Sequence, residues 1–142
     1  MLRIANLLDQ KNHYLEKFYS INEKEIEKFM DGNFDGIEYF YDSREKILEI
    51  IKYIDSQIDT IHNQISGTTQ PTDAQAKTAI AIALKIKDQY VTNIMEQDLQ
   101  ILSCIEATKN SIIRELNDLK KGKRAVAGYR APDFQKRLNE EA

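Results

Sequence analysis

The sequence predicts an all-α protein: three long antiparallel helices forming a coiled-coil-like bundle, the third of them the longest, followed by a flexible basic C-terminal tail. Three observations lead there. Helix breakers are scarce, with 5 Gly and 2 Pro in 142 residues, and these are the residues that interrupt helices most strongly. Apolar residues recur at three- and four-residue steps along most of the chain, the spacing of one buried helical face. Turn signals gather at Asp31–Gly36 and Ser66–Pro71.

The first helix is expected over about residues 2–31. Its stripe is Ile4, Leu7, Leu8, Tyr14, Leu15, Phe18, Ile21, Ile26, Phe29 and Met30. Gly32 then suits the left-handed position that closes a helix. Asp35 stands as an N-cap for the second helix, with Glu38 three residues on in capping-box position. That second helix, about 36–65, carries Ile47, Ile51, Ile54, Ile58, Ile61 and Ile65 at steps of 4, 3, 4, 3 and 4. Such a seam implies left-handed supercoiling against a neighbour. Tyr39, Phe40 and Tyr41 widen its start. The aromatics Tyr14, Phe18, Tyr19, Phe29, Phe40 and Tyr41 follow the helical stripes and are expected in the core.

After the loop, Thr72 is a plausible cap with Gln75 as its reciprocal partner. The third helix is expected over about 73–121, with Leu84, Val91, Asp98, Ile105, Ile112 and Leu119 repeating every seven residues and Ile80, Ile94, Ile101, Leu102 and Leu116 filling in beside them. Asp98 is the one charge on that seam. It either pairs with a cation on a neighbouring helix or lies just off the buried face. Gly122, Gly128 and Pro132 argue against a rigid helix through the following residues. The chain therefore reads as a bundle over 1–121 and a basic amphipathic tail over 122–142.

Charge is unevenly spread. Residues 1–66 hold 8 Lys/Arg against 13 Asp/Glu, residues 67–119 hold 5 against 7, and residues 120–142 hold 7 against 3. An anionic body is a poor binder of nucleic acid, which must have its phosphates neutralised, so no nucleic-acid partner is expected. The basic tail fits an acidic protein surface better. The longest purely apolar run, Ala79–Leu84, is far short of the ~20 residues of a membrane span. The N-terminus lacks the features of a signal peptide. Cys104 is the only cysteine, so no internal disulfide can form, and a cytoplasmic location is the expectation.

Nothing in the sequence assembles a catalytic, metal or cofactor site, and the chain is not expected to be an enzyme. His13 and His62 are the only histidines, on different helices, without a second ligand type one helical turn away. The Glu-x-x-His motifs of di-iron bundles are missing. Cys104 lacks an adjacent activating base and reads as a small buried hydrophobe. Glu23, Glu25 and Glu27 lie among lysines, as on a solvated helix face.

The expected lengths carry a functional implication. Helices joined by short connections pack antiparallel, so the third should outrun the others by roughly 18 residues. Ile105, Ile112, Ile113, Leu116 and Leu119 would then lack intramolecular cover. A sizeable exposed apolar stripe marks an interaction surface, to be covered by weak self-association or by a partner helix. In the tail, Val126, Tyr129, Phe134 and Leu138 alternate with basic residues. Such a segment is either a frayed, solvated terminus or a docking element that orders on a partner.

Nearly the whole chain resembles the flagellar export chaperones of the FlgN type. The likeness rests first on Leu7-Leu8 through Ile26-Glu27-Lys28-Phe29-Met30-Asp31-Gly32-Asn33-Phe34-Asp35-Gly36-Ile37, then Asp42-Ser43-Arg44-Glu45-Lys46-Ile47-Leu48. This is similar to that family's helix, short acidic break and second helix opening on an Arg-Glu-Lys-aliphatic run. The very long third helix is a second shared feature. The third is Leu119-Lys120-Lys121-Gly122-Lys123-Arg124-Ala125-Val126-Ala127-Gly128-Tyr129, like the basic-aliphatic-Gly/Ala-Tyr ending common there. The smaller FliT-type chaperones share the same logic.

The resemblance implies a cytoplasmic, non-enzymatic chaperone that holds hook-associated flagellar subunits and hands them to the type III export apparatus. It implies clients that dock helical termini into a groove. The expected partner contacts are Ile105, Ile112, Leu116, Leu119, Val126 and Tyr129, with Lys123 and Arg124 steering an acidic segment. The alternative reading is a generic helical adaptor or coiled-coil scaffold without an export role.

Overall fold

The computed structural model describes residues 2–66 and 73–128, with side chains as far as Lys123. It is an all-α three-helix bundle: α1 is Leu2–Met30, α2 is Ile37–Ser66 and α3 is Ala74–Gly128. The chain divides into two compact units, Met1–Leu102 and Ser103–Ala142. The bundle is the first of them.

Cross-helix contacts give its topology. Lys11 of α1 meets Asp55 of α2 at 2.8 Å, while Phe29 near the end of α1 meets Phe40 near the start of α2. These two helices are therefore antiparallel. Asn12 bonds to Ala83 of α3 and Asn22 to Gln97, so α3 returns parallel to α1. Ile4, Leu7, Leu8, Ile54, Ile61 and Ala83 form one buried cluster, and Leu15, Phe18, Ile47 and Ile51 another. Each large aliphatic or aromatic side chain so buried contributes about 1.5–3 kcal/mol.

The turn after α1 has a specific cause. Gly32 adopts φ +78°, a conformation open to glycine at no steric cost. Its N–H donates to Phe29 O at 3.0 Å, and the Asn33 N–H donates to Lys28 O at 2.9 Å. This pair of bonds is a Schellman closure, which satisfies two terminal carbonyls of α1. Phe34 then stacks on Phe29 with ring centroids 4.8 Å apart, and Phe40 meets Phe29 edge-on at 5.4 Å. Phe29 and Phe40 are among the most deeply buried side chains.

Several boundaries differ from expectation. The N-cap of α2 is Gly36, whose carbonyl accepts from the Phe40 N–H at 2.9 Å, rather than Asp35. A turn from Phe34 to Ile37, closed at 3.1 Å, moves the boundary by one residue. The Asp35 N–H is instead taken by Asn33 Oδ1. α3 is capped by Asp73, whose Oδ1 accepts from the Gln75 N–H at 3.0 Å; Thr72 lies outside the described residues. At its other end α3 runs through Gly122 to Gly128 instead of stopping at residue 121. Nothing lies within 4 Å of where a Gly122 Cβ would stand, and one exposed glycine costs only about 1 kcal/mol among good helix formers.

The largest correction concerns the face that α3 buries. The isoleucine seam of α2 is inward as expected: Ile47, Ile51, Ile54 and Ile61 are buried. On α3 the buried residues are Ala76, Ala83, Gln97 and Ile101, whereas Leu84 and Val91 of the expected seam are 40% and 38% exposed. Alanine at 76 and 83 leaves room for close backbone approach, and Asn12 uses it to reach the Ala83 carbonyl at 2.9 Å. The buried line runs one residue before Leu84 and Asp98, through Ala83 and Gln97, while Ile101 is buried and Ile80, Tyr90 and Ile94 pack against the core beside it. Met30, the last residue of the stripe expected on α1, is 71% exposed; Tyr41 is 47% and Tyr39 78% exposed, so of the three aromatics opening α2 only Phe40 enters the core. Cys104 is half-buried.

Candidate interaction surface

Two polar devices hold the bundle in register. The first centres on Arg44 of α2. Its guanidinium carbon sits 4.6 Å from the Phe18 ring centroid and 4.9 Å from that of Phe40. One nitrogen donates to Asp98 Oδ1 at 2.9 Å. A guanidinium is planar and weakly hydrated, so it can stack on aromatic faces and still bind a carboxylate edgewise. Arg44 thereby links α1, α2 and α3. Asp98 does pair with a cation on a neighbouring helix, and its side chain remains 43% exposed.

The second device is a buried amide cluster. Asn22 has no exposed surface, and its Nδ2 donates to Gln97 Oε1 at 2.9 Å. Gln97 Nε2 donates onward to the Tyr19 carbonyl at 3.1 Å and to Glu23 Oε1 at 2.8 Å. A buried amide that loses its partner costs more than the bond itself contributes, so a shift of α3 along α1 is penalised. Asn12 supplies a further bond to α3, although Asn12 Oδ1 and Asn22 Oδ1 have no partner. The sequence reading missed Asn12, Asn22 and Gln97. The available signal was polar residues on inward heptad positions, which in coiled coils select register.

Ile101 is buried and Ile80 and Ile94 pack on the core clusters, but other bulky aliphatics of α3 face out. In the first unit Val91, Met95, Leu99 and Leu102 are 38%, 63%, 69% and 57% exposed. Val91, Met95 and Leu102 stand seven and three residues before Asp98 and four after it, which places them with it on one helix face.

In the second unit the described side chains from Glu106 to Lys123 are all exposed except the half-buried Thr108. Five of the predicted contact positions, Ile105, Ile112, Leu116, Leu119 and Lys123, have described side chains in this unit. Ile105 is half-buried, and Ile112, Leu116 and Leu119 are 52%, 53% and 67% exposed. Ile113, at 46%, joins them. Residues at i, i+1, i+4 and i+7 share a helix face, so Ile112, Ile113, Leu116 and Leu119 form one apolar stripe. Lys123 is exposed one turn further on. Arg124 and Val126 lie within α3, beyond the described side chains, and Tyr129 lies outside the described residues.

Among the described residues no group of His, Cys, Asp and Glu could hold a metal ion. No helix among them is long and apolar enough to cross a membrane. Comparison with protein-family models, with curated proteins and with solved structures returns no match.

Proposed function

We propose that the protein is a holding chaperone that takes an amphipathic helix of a client onto the outer face of α3. More specifically, we read it as a FlgN-type cytoplasmic chaperone of hook-associated flagellar subunits, delivering them to the export apparatus. The observation that carries the reading is the stripe of Ile112, Ile113, Leu116 and Leu119, each 46% to 67% exposed. Helices with anchors at i, i+3 or i+4 and i+7 are what such surfaces receive. The resemblance of residues 119–129 to the family's basic ending supports the finer assignment, as does the layout of a short acidic break followed by a very long third helix. Lys120, Lys121 and Lys123 beside the stripe favour an acidic client segment.

The test is a titration of the terminal peptide of a hook-associated protein against wild type, Leu116→Asp and a chain ending at Lys121. Leu116→Asp should weaken binding at least about tenfold, since a charge on a buried apolar contact is costly. The shortened chain should lose affinity through Val126 and Tyr129. Equal binding by all three, with helicity unchanged, would place the site elsewhere. The second reading, a helical adaptor without an export role, is favoured by the separate exposed group Val91, Met95 and Leu102, which gives the chain a second apolar surface. It predicts no selectivity for hook-associated peptides over other amphipathic helices.

A further inference from the structure

We propose that the first unit carries a self-complementary seam on α3, between Ala74 and Leu99, through which it binds the same seam of a second copy running the opposite way. The charge of α3 changes sign once within that unit. Residues 74–87 hold Lys77, Lys85 and Lys87 and no acidic residue, whereas residues 88–102 hold Asp88, Glu96 and Asp98 and no basic one. The outward positions of the basic half are Ala74, Thr78, Ala81 and Lys85, and those of the acidic half are Asp88, Thr92, Met95 and Leu99; all eight are exposed. Their steps of 4, 3, 4, 3, 4, 3 and 4 make a heptad seam on the side away from the buried face. The steps read the same in either direction, so antiparallel pairing gives every position one opposite. Lys85 meets Asp88 of the second copy, Ala81 meets Thr92, Thr78 meets Met95 and Ala74 meets Leu99.

Charge and size choose the occupant together. The two halves carry three cations and three anions, so an antiparallel second copy lays basic on acidic, twice, about a two-fold axis. A parallel, in-register copy sets Lys85 on Lys85 and Asp88 on Asp88, and such like-charge meetings are penalised. Asp88 already holds Lys87 at 2.9 Å, but its side chain is 72% exposed, and a carboxylate accepts from several donors. Size follows the same rule. Met95 and Leu99, 63% and 69% exposed, fall opposite Thr78 and Ala74, and large side chains facing small ones interdigitate. A hollow of about 370 Å³ lies on the basic half, lined by Lys77, Thr78, Ala81, Ile82 and Lys85. Four of these stand at i, i+3, i+4 and i+7, the residues that frame a hole for a knob of a facing helix. Beside the seam, Lys77, Leu84, Val91 and Asp98 repeat every seven residues, so the same pairing brings Lys77 near Asp98 and Leu84 near Val91. It thereby covers aliphatics that the bundle leaves 40% and 38% exposed. The seam stops short of Ile112, Leu116 and Leu119, and the pairing does not rest on the client reading.

The experiment is sedimentation equilibrium of the full chain, alone, across a wide concentration range, with helicity followed by circular dichroism. A monomer–dimer equilibrium is expected. Lys85→Asp places carboxylate against carboxylate at both symmetric sites, and Asp88→Lys places ammonium against ammonium. Each should weaken the dimer about tenfold or more, with helicity unchanged because both positions are exposed. Mixing the two variants restores both ion pairs and should return the wild-type affinity. Direction is read by spin labels on Gln100→Cys in a Cys104→Ser background. Two labels should lie about 40 Å apart in the antiparallel pair, against less than about 20 Å in a parallel one, from the ~1.5 Å rise per residue. A strict monomer overturns the proposal. So does a dimer indifferent to Lys85→Asp, as one built on Ile112 and Leu116 would be, a mixture no tighter than either variant alone, or the short distance.

Discussion

α3 carries two stretches of similar aliphatic content that meet opposite fates. Up to Leu102 its inward positions mix small, polar and apolar residues, Ala76, Ala83, Gln97 and Ile101, and these four are almost wholly covered. Beyond Ser103 its apolar residues are larger, Ile112, Ile113, Leu116 and Leu119, and all four are at least 46% exposed. Hydrophobicity does not decide burial here; the presence of a complementary surface does. Alanine is buried because α1 supplies Asn12 to reach past it, and Gln97 because Asn22, Tyr19 and Glu23 satisfy its amide. An exposed run of isoleucine and leucine on a helix is thus a contact left open, and substitution should separate the two stretches clearly.

The largest effect is expected within the bundle. Phe29→Ala removes a side chain only 2% exposed that contacts both Phe34 and Phe40, and should cost about 3–5 kcal/mol in denaturant unfolding. A loss below ~1 kcal/mol would show that the turn between α1 and α2 is not a packed part of the core.

Gln97→Ala should cost roughly 1–3 kcal/mol, since Asn22 loses its acceptor inside the protein. A double-mutant cycle with Asn22→Ala should show the two losses to be strongly non-additive. Independent effects would mean that the amide cluster does not couple α1 to α3.

Arg44→Lys keeps the charge but gives up the planar group between Phe18 and Phe40. It should destabilise by about 0.5–1.5 kcal/mol, a loss that salt hardly changes. A loss that disappears in high salt would assign the contribution to the Asp98 ion pair alone.

Smallest of all, Leu116→Ser should shift unfolding by no more than about 0.5 kcal/mol, because the residue is 53% exposed. A loss of several kcal/mol at low protein concentration would mean that this stretch is covered within the single chain, and would remove the contrast from which the comparison starts.

Much of this was legible in the residues themselves. The helical class, the number of helices, the Gly32 closure and the inward isoleucine seam of α2 follow from local physics. Periodicity marks the face, and glycine marks the left-handed turn. The exposed positions after Ser103 were also indicated by helix length. The face of α3 was legible only in part: Ile101 is buried and Ile80 and Ile94 pack on the core clusters, but Leu84 and Val91 are 40% and 38% exposed because the buried line passes one residue away, through Ala83 and Gln97.

The sequence by itself determined that this chain forms three helices and where they turn, because helix propensity, capping and left-handed glycine act between near neighbours. Only the tertiary structure decided which side of α3 is buried, that Arg44 stacks between Phe18 and Phe40 while holding Asp98, and that Asn22 and Gln97 meet. The physical reason is that these choices depend on how closely two backbones approach and on whether a polar group finds its partner 54 or 75 residues away, terms that no local pattern contains.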